Sequence, residues 1–120
     1  MDTTAIDKIM DAQPVHLQVQ VGDIFTSSWG YDQVNRAFFQ VVELTPSGKS
    51  ARIRRMETVV VSKGNGWEMV QPVWNMFVGA QMTKRIGDVD GRLYFRICSF
   101  EHAWVWDGQP KHQTAWYAGH

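Results

Sequence analysis

The sequence predicts a mainly β fold: a small SH3-like barrel or a strongly bent antiparallel sheet, with a short helix at the N-terminus. Three observations carry that expectation. Short runs alternate apolar and polar residues, as with Leu17, Val19 and Val21 against Gln18 and Gln20, and with Leu93, Phe95 and Ile97 against Tyr94 and Arg96. Turn residues separate the runs at brief intervals, at Gly22-Asp23, Thr45-Pro46-Ser47-Gly48-Lys49 and Asp88-Val89-Asp90-Gly91. The runs number about five to seven, which suits a small barrel or a curved sheet.

At the N-terminus, Thr4-Ala5-Ile6-Asp7 has capping-box spacing, with Asp in place of Glu or Gln. Ile6, Ile9 and Met10 share one helical face, so a helix is expected over residues 4–12, stopped by Pro14. Strands are expected over 16–21 and 24–28, with Gly22-Asp23 as the turn between them. Residues 37–44 and 50–56 read as two more, joined by a loop with Pro and Gly where a hairpin needs them. Residues 58–61 continue the sheet or form a separate short strand. Gly64-Asn65-Gly66 then breaks the pattern. The apolar residues 67–79 have no clean period, and the expectation is a long packed excursion with a helical turn. Residues 82–86 and 93–98 form a hairpin. The aromatic tail, 100–120, is expected to wrap over the barrel.

No repeat, low-complexity tract or linker divides the 120 residues, which read as a single domain, 1–120. A chain of this size buries a core without disulfides or structural metal. Cys98 is the lone cysteine, which excludes an intramolecular disulfide and fits a reducing compartment. Residues 1–13 carry Asp2, Asp7 and Asp11 and lack the basic start and apolar run of a signal peptide. No apolar stretch approaches the ~20 residues of a membrane helix. The expected location is the host cell cytoplasm, with no membrane contact. The net charge is zero but polarised: residues 1–35 hold five Asp against Lys8, and residues 36–63 hold six Lys and Arg against Glu43 and Glu57. That balance excludes a wholly basic nucleic-acid binder, while a polarised surface steers partners.

The most distinctive stretch is Ser27-Ser28-Trp29-Gly30-Tyr31-Asp32-Gln33, followed by Asn35 and Phe38-Phe39-Gln40-Val41. Together with Val21-Gly22-Asp23-Ile24-Phe25 before it, and with Trp106-Asp107-Gly108, Pro110, Thr114 and Gly119-His120 at the end, it resembles a family of small phage, prophage and plasmid proteins. Members share an SSWGYDQxN motif and a WDGxP…GH tail. The resemblance covers residues 21–44 well and 104–120 moderately. Val34, Ala37 and Gln109 depart from it, standing where the family usually has Thr, Asp and Lys. The resemblance implies a mobile-element origin and supplies no reaction.

Two groups of residues are candidates for a site. Trp29, Tyr31, Asp32, Gln33 and Asn35 place two rings around Gly30 and three polar groups beside them, as a partner-binding loop would. The same polar groups also suit a turn closed by side-chain to backbone bonds. Arg52 and Arg54 share one face of a strand, and Lys84, Arg92 and Arg96 join them if their strands are neighbours, with Tyr94 close by. The Arg52, Arg54 and Arg96 face would hold a nucleic-acid backbone or an acidic protein, or would be an ordinary solvated strand face. Trp104 and Trp106 point the same way from an extended chain, to close the core or to meet a partner. The histidines have no metal-ligand spacing, so no metal, cofactor or catalytic residue is expected.

The reading is a non-enzymatic binding protein of a phage or plasmid that engages a host or phage macromolecule, a protein first, as an inhibitor of a host defence system would. The alternatives are a small nucleic-acid-associated protein using the basic strand face, and a small metal-dependent hydrolase or nuclease built on Asp32 and the C-terminal histidines.

Overall fold

A computed structural model describes residues 18–30 and 33–115. The fold is mainly β, with eight strands and no helix among the described residues: β1 (Ile24–Trp29), β2 (Asn35–Leu44), β3 (Ser50–Lys63), β4 (Trp67–Phe77), β5 (Met82–Val89), β6 (Arg92–Cys98), β7 (Glu101–Val105) and β8 (Lys111–Thr114). They form one antiparallel sheet in the order β2-β1-β7-β6-β5-β3-β4-β8. An added β2–β3 pairing joins six of these strands into a ring, β1-β7-β6-β5-β3-β2. The first half of β3 lies in that ring between β2 and β5, and its second half leaves it to pair with β4. The sheet is therefore not a plain barrel, and the SH3-like expectation holds only as a mainly β, antiparallel architecture.

Alternation builds two cores. Inward from the ring point Phe25, Ala37, Phe39, Val41, Ala51, Ile53, Leu93, Phe95 and Ala103. Phe25 and Phe95 meet edge to face at 4.6 Å. A second core, Phe38, Met56 and Val70 with Ile24, Phe77 and Trp106 against it, lies on the outer side of β1 and β2, beneath the β3–β4–β8 layer. Residues 37–41 of β2 are consequently buried on both faces. The unbroken apolar pair Phe38-Phe39 in that strand is the sequence mark of two-sided burial.

Several expectations hold. The 45–49 loop closes through Thr45 N–H to Ser50 O at 3.1 Å, with Gly48 at φ +74. The β5–β6 hairpin turns on Asp90 (φ +52) and Gly91 (φ +84), both left-handed, as a two-residue hairpin loop requires. Residues 58–61 continue β3.

Others are corrected. Residues 18–21 form no strand: Val19 is buried, but Val21 is exposed and the chain turns there. Asp23 closes that turn, its carboxylate accepting from Gln20 N–H at 2.9 Å and its own N–H donating to Gln20 O at 3.0 Å. Residues 67–77 are strand β4 rather than an excursion with a helical turn, and 78–79 bend after it. Its period is hidden by an irregularity: Met56 pairs with Phe77 and Thr58 with Pro72, so residues 73–76 bulge out opposite Glu57. Asn75 takes φ +61 in the bulge and is held by buried Gln40 through two hydrogen bonds of 2.8 and 3.2 Å. Through residue 115 the tail does not wrap over the barrel, and 116–120 lie outside the described residues. Its first part is β7, a ring member between β1 and β6, and its second is the edge strand β8. The expected helix at 4–12 lies outside the described residues.

Candidate functional site

The Trp29–Asn35 loop closes the β1–β2 hairpin, with Trp29 paired to Asn35. Trp29 is half-buried against the inner core, and the Arg55 guanidinium lies 5.8 Å from its ring. Gly30 has φ +133, and a Cβ there would stand 1.9 Å from the Gln33 carbonyl oxygen. No other residue fits that position, because the obstacle is backbone. Gln33 Nε2 donates to Asn35 Oδ1 at 3.4 Å, a long bond within the loop. Tyr31 and Asp32 lie outside the described residues. The loop is clamped from the other end of the sequence. Val34 N–H donates to Thr114 Oγ1 at 2.8 Å, and Thr114 N–H to Val34 O at 2.9 Å. Trp106, from the tail motif, packs edge-on to Phe38 at 5.7 Å. The two most distinctive stretches of the sequence thus meet in space. Beneath them, Ser27 Oγ donates to Glu101 Oε2 in a buried pair.

Arg52 and Arg54 do share the outer face of β3, but both are engaged. Arg52 pairs with Glu43 at 2.9 Å. Arg54 donates twice to Gly79 O, at 3.1 and 2.9 Å, and lies 4.6 Å from the Phe77 ring centroid. Arg96 sits across β5 on β6, opposite His102. Lys84 donates to Ile97 O at 3.0 Å.

The outer wall at β6, β7 and β1 is different. Cross-strand pairing places Gly87, Tyr94, Trp104, Thr26 and Phe38 in one row. Tyr94 and Trp104 lie 5.0 Å apart, both half-exposed, and Arg92 sits 4.3 Å from the Trp104 ring centroid. Tyr94 also lies 5.7 Å from the His102 ring. The adjacent row pairs Arg96 with His102 and Ser28 with Arg36. A cleft of about 510 Å³ opens here, lined by Arg36, Arg92, His102, Trp104, Asp107 and Lys111 among others. Phe100, 66% exposed, stands at its edge.

Arg36, Arg92 and Lys111 line this cleft together with the carboxylate of Asp107. The Lys111 ammonium, 2.8 Å from Asp107, and the Gln109 N–H hold that carboxyl below the usual carboxylate range. Burial lowers the Arg36 guanidinium, an effect opposed by Asp107. Arg36 also donates to His112 O at 3.4 Å. The wall combines flat aromatic surface with fixed positive charge, which suits an anionic ligand carrying planar groups.

Arg92, Arg96 and Tyr94 were open to sequence reasoning as alternate residues of one strand. Arg36, His102, Trp104 and Lys111 were not, because only the β1–β2, β6–β7 and β4–β8 pairings bring them to the same wall. His102 and His112 stay apart, His112 lying 5.9 Å from the Trp67 ring on the other layer. Among the described residues no group of three or more His, Cys, Asp or Glu is arranged to hold a metal ion. Comparison with known proteins finds no matching family model, no matching curated protein and no matching solved structure.

Proposed function

We propose that this protein is a non-enzymatic binding protein that engages an anionic macromolecule through the β6–β7–β1 wall. A single observation carries the reading: Arg36, Arg92 and Lys111 converge with Trp104 in one cleft whose lone carboxylate, Asp107, is already paired to Lys111. Local charge of this kind attracts a polyanion even where the whole chain is neutral. The ring of strands, read as a small barrel carrying a β3–β4 arm, gives that wall a rigid backing. The SSWGYDQxN and WDGxP resemblance supports a phage or plasmid setting, with a host or phage macromolecule as partner. Inhibition of a host defence system is a role such a protein would suit.

The test is titration of the full chain, at low and moderate salt, with single-stranded oligonucleotide, duplex DNA and polyglutamate. At least one is expected to bind with salt-sensitive affinity, and Arg92→Ala with Lys111→Ala is expected to weaken it. Failure of all three to bind at low salt overturns the reading.

A further inference from the structure

We infer that the anionic partner is a single-stranded nucleic acid, with bases stacking on Tyr94 and Trp104 and phosphates meeting the cations around them. The inference rests on the binding-wall reading above and names its ligand. Four features of the wall point to an unpaired strand rather than to another polyanion.

The first is the pair of rings. Tyr94 and Trp104 sit side by side on neighbouring strands, half-buried, on the outer side of the sheet, with the Arg92 guanidinium over the Trp104 ring. Neither belongs to either core, so their exposed faces are not needed to hold the fold. A platform of this kind accepts any base, because every base has a π-face, and each stacked base contributes about 1–3 kcal/mol by alanine substitution. A duplex keeps its bases stacked on each other and offers mainly phosphate to such a wall, and a run of Asp and Glu carries no ring to stack.

The second is the spatial order. The aromatic row runs along one line of cross-strand pairs, and Arg96, His102, Ser28 and Arg36 lie on the adjacent line. A single strand carries its bases and its phosphates along two parallel tracks, and the wall offers a track for each.

The third is Arg92. Its guanidinium, 4.3 Å from the Trp104 ring centroid, is planar, exposed and charged. It can stack beside a base and pair with a phosphate, which a lysine ammonium does less well. The fourth is Phe100, an exposed ring at the β6–β7 turn that lines the same cleft and offers a further apolar surface there.

The experiment uses the full chain and fluorescein-labelled oligo-dT and oligo-rU of about 12 nucleotides, within the span of one small-barrel site. A duplex of equal length and polyglutamate serve as competitors. Oligo-dT or oligo-rU is expected to bind and to quench tryptophan fluorescence, and the two arms separate a DNA ligand from an RNA ligand. The duplex and polyglutamate are expected to compete at least about tenfold less well. Trp104→Ala should weaken binding about 5- to 150-fold, the span of one lost stack. Trp104→Phe should restore most of it. Arg92→Ala with Lys111→Ala should reduce the salt slope by about 1.4 units, from ~0.7 per phosphate on a single strand. Arg92→Ala alone tests the idea on an exposed side chain where folding is not at issue.

If duplex or polyglutamate binds as tightly as the single strands and Trp104→Ala changes nothing, the inference is overturned while the binding-wall reading stands. If no polyanion binds, both fall.

Discussion

The ring of Tyr94 lies across Gly87 on the neighbouring strand, so close that a Cβ at position 87 would stand 2.3 Å from Tyr94 Cζ. Glycine there lets the ring lie flat on the sheet and reach Trp104 at 5.0 Å. Gly87→Ala is expected to lift the ring from the wall. An overpacked contact of this kind costs about 1–3 kcal/mol. Near-ultraviolet circular dichroism should change with it, and oligo-dT affinity should fall. A variant with the parent's spectrum, stability and affinity would show that Gly87 does not position Tyr94.

Gly30 and Gly48 both have positive φ, at +133 and +74, but only Gly30 faces an obstacle. Left-handed strain alone costs about 1 kcal/mol in an ordinary residue. Gly48→Ala should stay near that value. Gly30→Ala should exceed about 3 kcal/mol, since the Gln33 carbonyl must move as well. Urea unfolding of the two variants measures the difference, and equal costs would contradict the role given to the loop backbone.

Ser27 and Glu101 form a buried hydroxyl–carboxylate pair that ties β1 to β7. Ser27→Ala removes a donor from a buried carboxylate and should destabilise by about 1.5–3 kcal/mol. Glu101→Gln in the Ser27→Ala background should recover part of that loss, because a neutral amide is cheaper to leave short of a partner. No recovery in the double variant would mean that the charge on Glu101 is satisfied elsewhere.

Truncation after Phe100 removes β7 and β8 together. It leaves β1 and β6 without their shared partner and uncovers Phe38 by removing Trp106. Cooperative thermal unfolding is expected to vanish. Trp106→Ala alone should cost about 3 kcal/mol, at the low end for Trp because the residue is only half-buried. A truncated chain that melts cooperatively would show that the ring does not need β7.

Asp107 titrates below the ordinary carboxylate range because of Lys111 and the Gln109 N–H. A carboxyl depressed on folding stabilises the fold above its unfolded pKa, near 3.9, and loses that contribution as pH falls through the lower folded value. Its share of stability is therefore constant from pH 5 to 8, on this scale, and declines only below about pH 4. The group is exposed, so the effect is small. Carboxyl titration by nuclear magnetic resonance should place Asp107 below the ordinary aspartate value, and Lys111→Ala should move it up. An unchanged midpoint in that variant would remove Lys111 as the cause.

The sequence by itself determined the strand-rich class, the turns and the faces of the simplest strands. Leu93, Phe95 and Ile97 alternate with Arg92, Tyr94 and Arg96, and a period of two has one physical solution, with one set inward and the other outward. Asp90-Gly91 carries its turn in two residues that tolerate positive φ. β4 was hidden because the bulge at 73–76 erases its period, and what holds the bulge is Gln40, 35 positions away. β7 was hidden because a five-residue strand with an aromatic at either side of Val105 looks like a packed tail until β1 and β6 close on it. The proposed binding wall was legible in sequence only at Arg92, Tyr94 and Arg96 of β6, and tertiary structure decided the rest. Arg36 belongs to β2, far along the chain from Trp104 on β7 and Lys111 on β8, and local sequence carries no information about which strand edges meet. The pairings of β1 with β2 and with β7 bring Arg36 and Trp104 to one outer face, and Lys111 lines the same cleft from β8.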